Sequence, residues 1–125
     1  MLLKTNSPIS KVAMQISPAS VQPTNDAGLR TLVYKNAKVI VKFTTKDCPV
    51  CVRLWKHYLT LSQEPKYNNI LFLMVDAAEN PVSNKSVQLT RQPFFAIYHK
   101  AQLKECMLIS EETVLEGLLD RLLNP

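Results

Sequence analysis

Residues 38–51 read KVIVKFTTKDCPVC, and this stretch decides how the rest of the chain is organised. Its first part, Lys38 to Thr44, is β-branched and nearly continuous in apolar character, as a central strand covered on both faces must be. Lys42 is the charged residue in the interior of that run. Asp47-Cys48-Pro49 then has the form of a helix start: a capping acid, then a proline whose missing N–H costs nothing in the first turn. Beyond it, Val50, Leu54, Tyr58 and Leu61 share one helical face, while Cys51, Trp55 and Leu59 lie on the adjoining one. Such a wide apolar stripe belongs to a core helix, so a buried strand, a cysteine pair and a helix follow one another directly.

Upstream, Ile9 to Ile16 reads as an edge strand, and Ser17 to Thr24, with two prolines and two serines, as a loop. Asn25 or Asp26 caps a helix in which Leu29, Leu32 and Val33 recur at helical spacing, although Gly28 weakens it. Downstream, Ile70 to Val75 is a second buried strand ending at Asp76, and Asn80-Pro81 opens a short helix containing Val82. Phe94 to Tyr98 and Leu103 to Ile109 form an antiparallel hairpin through His99-Lys100-Ala101-Gln102, with Phe94 and Phe95 alternating between the two sheet faces. Ser110 caps a last helix that buries Val114, Leu118, Leu119 and Leu122. The expected order is β-α-β-α-β-α-β-β-α. Helices between the early strands demand parallel pairing, and the late hairpin adds an antiparallel edge. The fold class is therefore α/β, a mixed central sheet with helices on both faces.

A length of 125 residues suits one domain, with residues 1–8 as a flexible tail. With 46% hydrophobic and 20% charged residues, the chain can bury a core and is not a disordered tail. The formal charge of +5 comes from dispersed basic residues without a run of like charges, so it reads as a solvated surface and not as a nucleic-acid site. Neither an apolar signal-peptide core nor a membrane-spanning run is present. The chain as it stands reads as soluble, monomeric and cytoplasmic, with no membrane partner, unless a leader has been removed.

Three cysteines are too few to staple a small secreted domain, and two of them are paired in sequence. Cys48 and Cys51 stand where first-turn N–H groups and the positive end of a helix dipole favour a thiolate over a thiol. A nucleophilic Cys48 with a partner one turn away that resolves its mixed disulfide is the chemistry this spacing serves. Half a zinc site has the same spacing, however, and an inert pair is a third reading. A metal would need two further ligands, for which Cys106, His57 and His99 are the soft candidates. Cys106 otherwise reads as a small buried hydrophobe on the last strand, His57 as a surface histidine, and Trp55 as core packing. Lys42 either snorkels to the surface along its stem or places its ammonium under Cys51.

On these residues the chain resembles the thioredoxin superfamily from about Ile9 to Leu123. VIVKFTTKDCPVC (39–51) is similar to the family's strand and active-site segment, LFLMVDAAENP (71–81) to its third strand and the Asn-Pro that follows, and VQLTRQPFF (87–95) to the segment ending in its cis-proline. The resemblance implies a thioredoxin fold in which Cys48 attacks, Cys51 resolves, and the backbone of Gln92 and Pro93 binds an extended substrate. It also implies a thiol–disulfide oxidoreductase that acts on a protein disulfide with a separate electron donor or acceptor, and that needs no bound cofactor because the cysteines carry the electrons. Departures from the family pattern are specific. Asp47 stands where thioredoxins usually have Trp, Pro-Val replaces Gly-Pro between the cysteines, and Lys42 replaces a buried Asp. Asp47 and Lys42 are therefore candidates for tuning the cysteine pKa values. Glycines expected in the hairpin and after the last strand are absent, so the chain reads as a divergent thioredoxin-like protein and not as thioredoxin itself. Two other functions remain open: an interaction module that holds a partner beside Pro93 without turnover, and a zinc-binding structural protein.

Overall fold

Strand Lys38–Thr44 lies in the middle of a five-stranded sheet, as its apolar run predicts. The computed structural model describes residues 20–44, 49–76 and 94–125, and of residues 49–51 only the backbone. In chain order the elements are β1 (Val21–Thr24), α1 (Asp26–Lys35), β2 (Lys38–Thr44), α2 (Pro49–Ser62), a 3-10 turn (Pro65–Tyr67), β3 (Leu71–Asp76), β4 (Phe94–His99), β5 (Gln102–Leu108) and α3 (Glu112–Leu123). The strand order is β1-β3-β2-β4-β5, parallel across β1, β3 and β2 and antiparallel across β2, β4 and β5. This is the mixed sheet that helix-linked early strands and a late hairpin require.

Alternation along the strands sends side chains to two separate cores. On one face Ile40, Phe72, Phe95 and Ile97 meet Leu54, Tyr58 and Leu61 of α2 and Leu115, Leu118, Leu119 and Leu122 of α3. On the other, Val39, Val41, Phe43, Leu73, Val75 and Ala96 meet Val33 of α1, with Leu29 and Leu32 half-buried beside it. Each fully buried aliphatic side chain contributes about 1.5–3 kcal/mol, so the leucine-rich α2 and α3 face anchors the fold. Tyr67 in the 3-10 turn donates to Asp120 of α3 at 2.7 Å, and Arg53 of α2 donates to the Ser110 carbonyl. These contacts fix α2 and α3 side by side.

Three local readings of the sequence are corrected. The Ser17 to Thr24 loop contains β1, which pairs with β3 from Val21 opposite Phe72 to Thr24 opposite Val75. Pro23 does not prevent this, because an edge strand has one side with no ladder to supply, and Val21 is buried. In α3 the apolar stripe starts one residue later than expected. Val114 is 41% exposed and Leu115 is 0%, since Leu115, Leu118, Leu119 and Leu122 fall at i, i+3, i+4 and i+7 on one helix face. The helix cap is Glu111 rather than Ser110.

The α1 cap is Asn25, whose Oδ1 accepts from the Gly28 N–H at 2.7 Å. Gly28 sits in a crowded place, because a Cβ there would come within 2.3 Å of Thr24 Oγ1 and one of the two would have to shift. The β4–β5 turn places Lys100 and Ala101 at φ of 50° and 69°, a left-handed pair of the kind glycine and asparagine usually supply. The expected strand at Ile9 to Ile16, the helix at Asn80-Pro81 and the tail 1–8 lie outside the described residues.

Candidate functional site

The candidate site begins where β2 ends. Strand β2 stops at Thr44 and α2 starts at Pro49, so Cys48 directly precedes the first helical residue in sequence and Cys51 falls in the first turn. Proline at the first helical position is the placement that its missing N–H favours. The site residues Asp47, Cys48, Gln92 and Pro93, and the isomer of the Gln92-Pro93 bond, lie outside the described residues. Of Cys51 the structure describes the backbone.

Lys42 is described in full. It sits on the β2 face that carries Ile40, in register with Met74 of β3 and Phe95 of β4, beneath α2. The side chain is 1% exposed, so it does not snorkel to the surface; that reading is overturned, with the ammonium held inside against Trp55 of α2. Its ammonium lies 5.0 Å from the centroid of the Trp55 ring, a cation–π distance. Burial pulls its pKa down from 10.5 to about 8. Trp55 is half-buried against the core, as expected, and also forms the seat for this cation.

Tyr58 locks α2 to the sheet. Its hydroxyl donates to the carbonyls of Leu73 at 2.7 Å and Ile40 at 3.2 Å, and its ring packs against Phe72 and Phe95 at 5.2 and 5.6 Å. Burial raises its pKa well above the usual value, so the hydroxyl stays neutral as a donor. The apolar stripe located Tyr58 in the core but gave no sign of the two carbonyls, because they come from strands distant in sequence.

The other chemistry-bearing residues lie apart from this place. His57 is not a bare surface histidine: its side chain is 20% exposed, between Glu116 at 3.0 Å and Glu112 at 3.6 Å on α3. The helix pairing that buries it is a tertiary contact invisible to local sequence. His99 is at the hairpin end, where desolvation and then Lys100, Lys104 and Lys38 lower its pKa. Cys106 is exposed, against the expected burial, because β5 is an edge strand covered less than β2 or β3. Among the described residues, no three His, Cys, Asp or Glu side chains are grouped so as to hold a metal. Among them also, no helix is long and apolar enough to cross a membrane.

The strand order and the cysteine pair at the β2–α2 junction correspond to a known family. The family model for thioredoxin matches residues 20–121. The chain belongs to the thioredoxin family. Among curated relatives, mitochondrial thioredoxin-3 of Saccharomyces cerevisiae is 28% identical over 115 residues, which is 90% of this chain and 89% of that protein. Thioredoxin 1 of Plasmodium falciparum is 24% identical over 98 residues, or 78% and 92% of the two chains. The crystal structure of oxidised mitochondrial thioredoxin 3 from S. cerevisiae superposes with a TM-score of 0.72 at 25% identity, covering 82% of this chain and 96% of that one. At the family level, thioredoxins are thiol–disulfide oxidoreductases that act on protein disulfides. This thioredoxin-family chain has the five-stranded sheet and three described helices of that fold, with Lys42 buried beneath its second helix.

Proposed function

We propose that the Cys48-Pro49-Val50-Cys51 segment exchanges a dithiol for a disulfide with a protein substrate. The observation that supports this reading is the start of α2 at Pro49, the residue that follows Cys48 in sequence and lies two before Cys51. The Cys48 thiolate attacks a substrate disulfide, forming a mixed disulfide and releasing one substrate thiolate. Cys51 then attacks the Cys48 sulfur, the mixed disulfide breaks, and the second substrate sulfur leaves as a thiolate that takes up a proton. The substrate disulfide gains two electrons and the Cys48–Cys51 pair loses them. In this reading the Gln92-Pro93 backbone holds the extended substrate, and Asp47 is the acid nearest Cys48 in sequence.

Reduction of insulin disulfides in the presence of dithiothreitol tests the proposal. Wild-type protein accelerates it, and both Cys48→Ser and Cys51→Ser abolish the acceleration. Cys51→Ser alone accumulates a mixed disulfide detectable by intact mass. Faster alkylation of Cys51 than of Cys48 at neutral pH would reverse the assigned roles, and a wild-type protein without exchange activity would support the partner-holding reading.

A further inference from the structure

The end of the sheet remote from the β2–α2 junction carries a cluster of positive charge. Strand β2 begins at Lys38 and ends at Thr44, about 20 Å away at the rise of an extended strand. At the Lys38 end, Lys38 is in register with His99 of β4, and His99 with Gln102 of β5. Lys100 enters the hairpin turn at a φ of 50°, and its N–H donates to the Ala37 carbonyl at 2.8 Å, which ties the turn to the start of β2. Ile97 faces Glu105 while Tyr98 faces Leu103, so Lys104 is the extra residue of a β-bulge, a device that re-aims a side chain. Lysines 38, 100 and 104 are thereby gathered with His99 at one end of three neighbouring strands.

No acid offsets them. Among the described residues, none of these lysines forms an ion pair, and Glu105, the acidic residue of this hairpin, is held by Arg121 at 2.7 and 3.0 Å. Lys38 donates to the Leu123 carbonyl at the end of α3, at 2.9 Å, which fixes its ammonium, whereas Lys100 and Lys104 are exposed. After desolvation, Lys100, Lys104 and Lys38 all act on the His99 ring to lower its pKa, as charges close to one another must. Like charges crowded in this way repel, and an anionic partner relieves the repulsion.

We infer that Lys38, Lys100 and Lys104, grouped around His99, dock a short acidic segment of a partner protein. The extent of the patch favours this partner. Strands β2, β4 and β5 span two inter-strand gaps, about 10 Å, and alternate carboxylates of an extended peptide lie about 7 Å apart, so about three or four acidic residues cover it. A single strand of nucleic acid calls for a longer charged groove with rings on which bases stack. An anionic membrane surface calls for a broader cluster, of about 4–8 basic residues. Docking at this end is independent of whether the cysteine pair exchanges disulfides.

Fluorescence anisotropy of fluorescein-labelled hexaglutamate, titrated with the full chain, tests this. The wild type binds the peptide at low ionic strength, and the affinity falls as salt is added, because exposed charges are screened. Lys100→Glu combined with Lys104→Glu weakens binding about tenfold or more, whereas Arg30→Glu combined with Lys56→Glu, the same change of net charge at exposed positions elsewhere, weakens it less than about threefold. Lys100→Gln combined with Lys104→Gln gives a smaller loss in the same direction and serves if the charge reversal disturbs folding, for which near-ultraviolet circular dichroism is the check. Absence of binding by the wild type overturns the inference. So does equal weakening by the two charge-reversed pairs, which would trace binding to net charge alone. Tighter binding of oligothymidine or of phosphatidylserine vesicles than of hexaglutamate overturns the assignment to an acidic protein segment.

Discussion

Replacing Lys42 by Met should make the protein more stable, by an amount that depends on pH. In the unfolded chain the ammonium keeps its proton up to 10.5, whereas burial in the fold lowers that to about 8. Between those two values the unfolded state binds more protons, so native stability rises with pH there and carries the full penalty below about 8. At about 1.4 kcal/mol per pH unit, a drop from 10.5 to about 8 corresponds to about 3 kcal/mol at neutral pH. The ammonium's contact with the Trp55 ring returns ~0.5–2 kcal/mol of this. Methionine matches the length of the stem, carries no charge and fills irregular core space well. Lys42→Met should therefore gain about 1–3 kcal/mol at pH 7, and the gain should shrink towards zero as pH approaches 10.5. Urea denaturation of both proteins at neutral and alkaline pH, with m-values compared, measures this directly. Equal or lower stability of the variant at pH 7, or a gain that does not change with pH, would refute the argument.

Tyr58→Phe keeps the ring packing but leaves the Ile40 and Leu73 carbonyls without their shared donor, so urea denaturation should show a loss of about 1–3 kcal/mol. Asn25→Ala removes the side-chain acceptor of the Gly28 N–H and should cost about 1 kcal/mol, read as a lower thermal midpoint. Leu115→Ala should cost about 2–5 kcal/mol, whereas Val114→Ala should cost under about 1 kcal/mol. The reverse ranking would put α3 in the wrong rotational phase.

The sequence was most legible where burial on both faces imposes a pattern. β2 was read residue for residue, β3 and the hairpin strands to within one residue, and α2 from its apolar stripe and Pro49. Legibility failed where a tertiary contact overrides local composition. β1 has Pro23 and polar neighbours, and only its pairing with β3 makes it a strand. Val114 and Leu115 are equally apolar, so the face that turns inward is settled by packing on the sheet and not by residue type. His57 meets glutamates some 55 to 59 positions away, a relation that no local window contains. Of the candidate site, the order of strand, cysteine pair and helix was readable, and so was the oddity of Lys42. The choice between a lysine reaching water and one confined beneath α2 depended on how closely that helix covers the strand.

The outer strand β5 is an edge of the described sheet, where a further strand could add. Among the described residues it pairs with β4 alone, and the other side of its backbone has no described strand beside it. An incoming chain would have to strip water from Lys104, which is exposed at the centre of that strand. It would also have to accommodate the forked ion pair in which Arg121 of α3 donates to both oxygens of Glu105, at 2.7 and 3.0 Å. Exposed Leu103 and Leu108 would otherwise make this border adhesive. Charge in the middle of the strand thus opposes sheet-to-sheet aggregation along this edge.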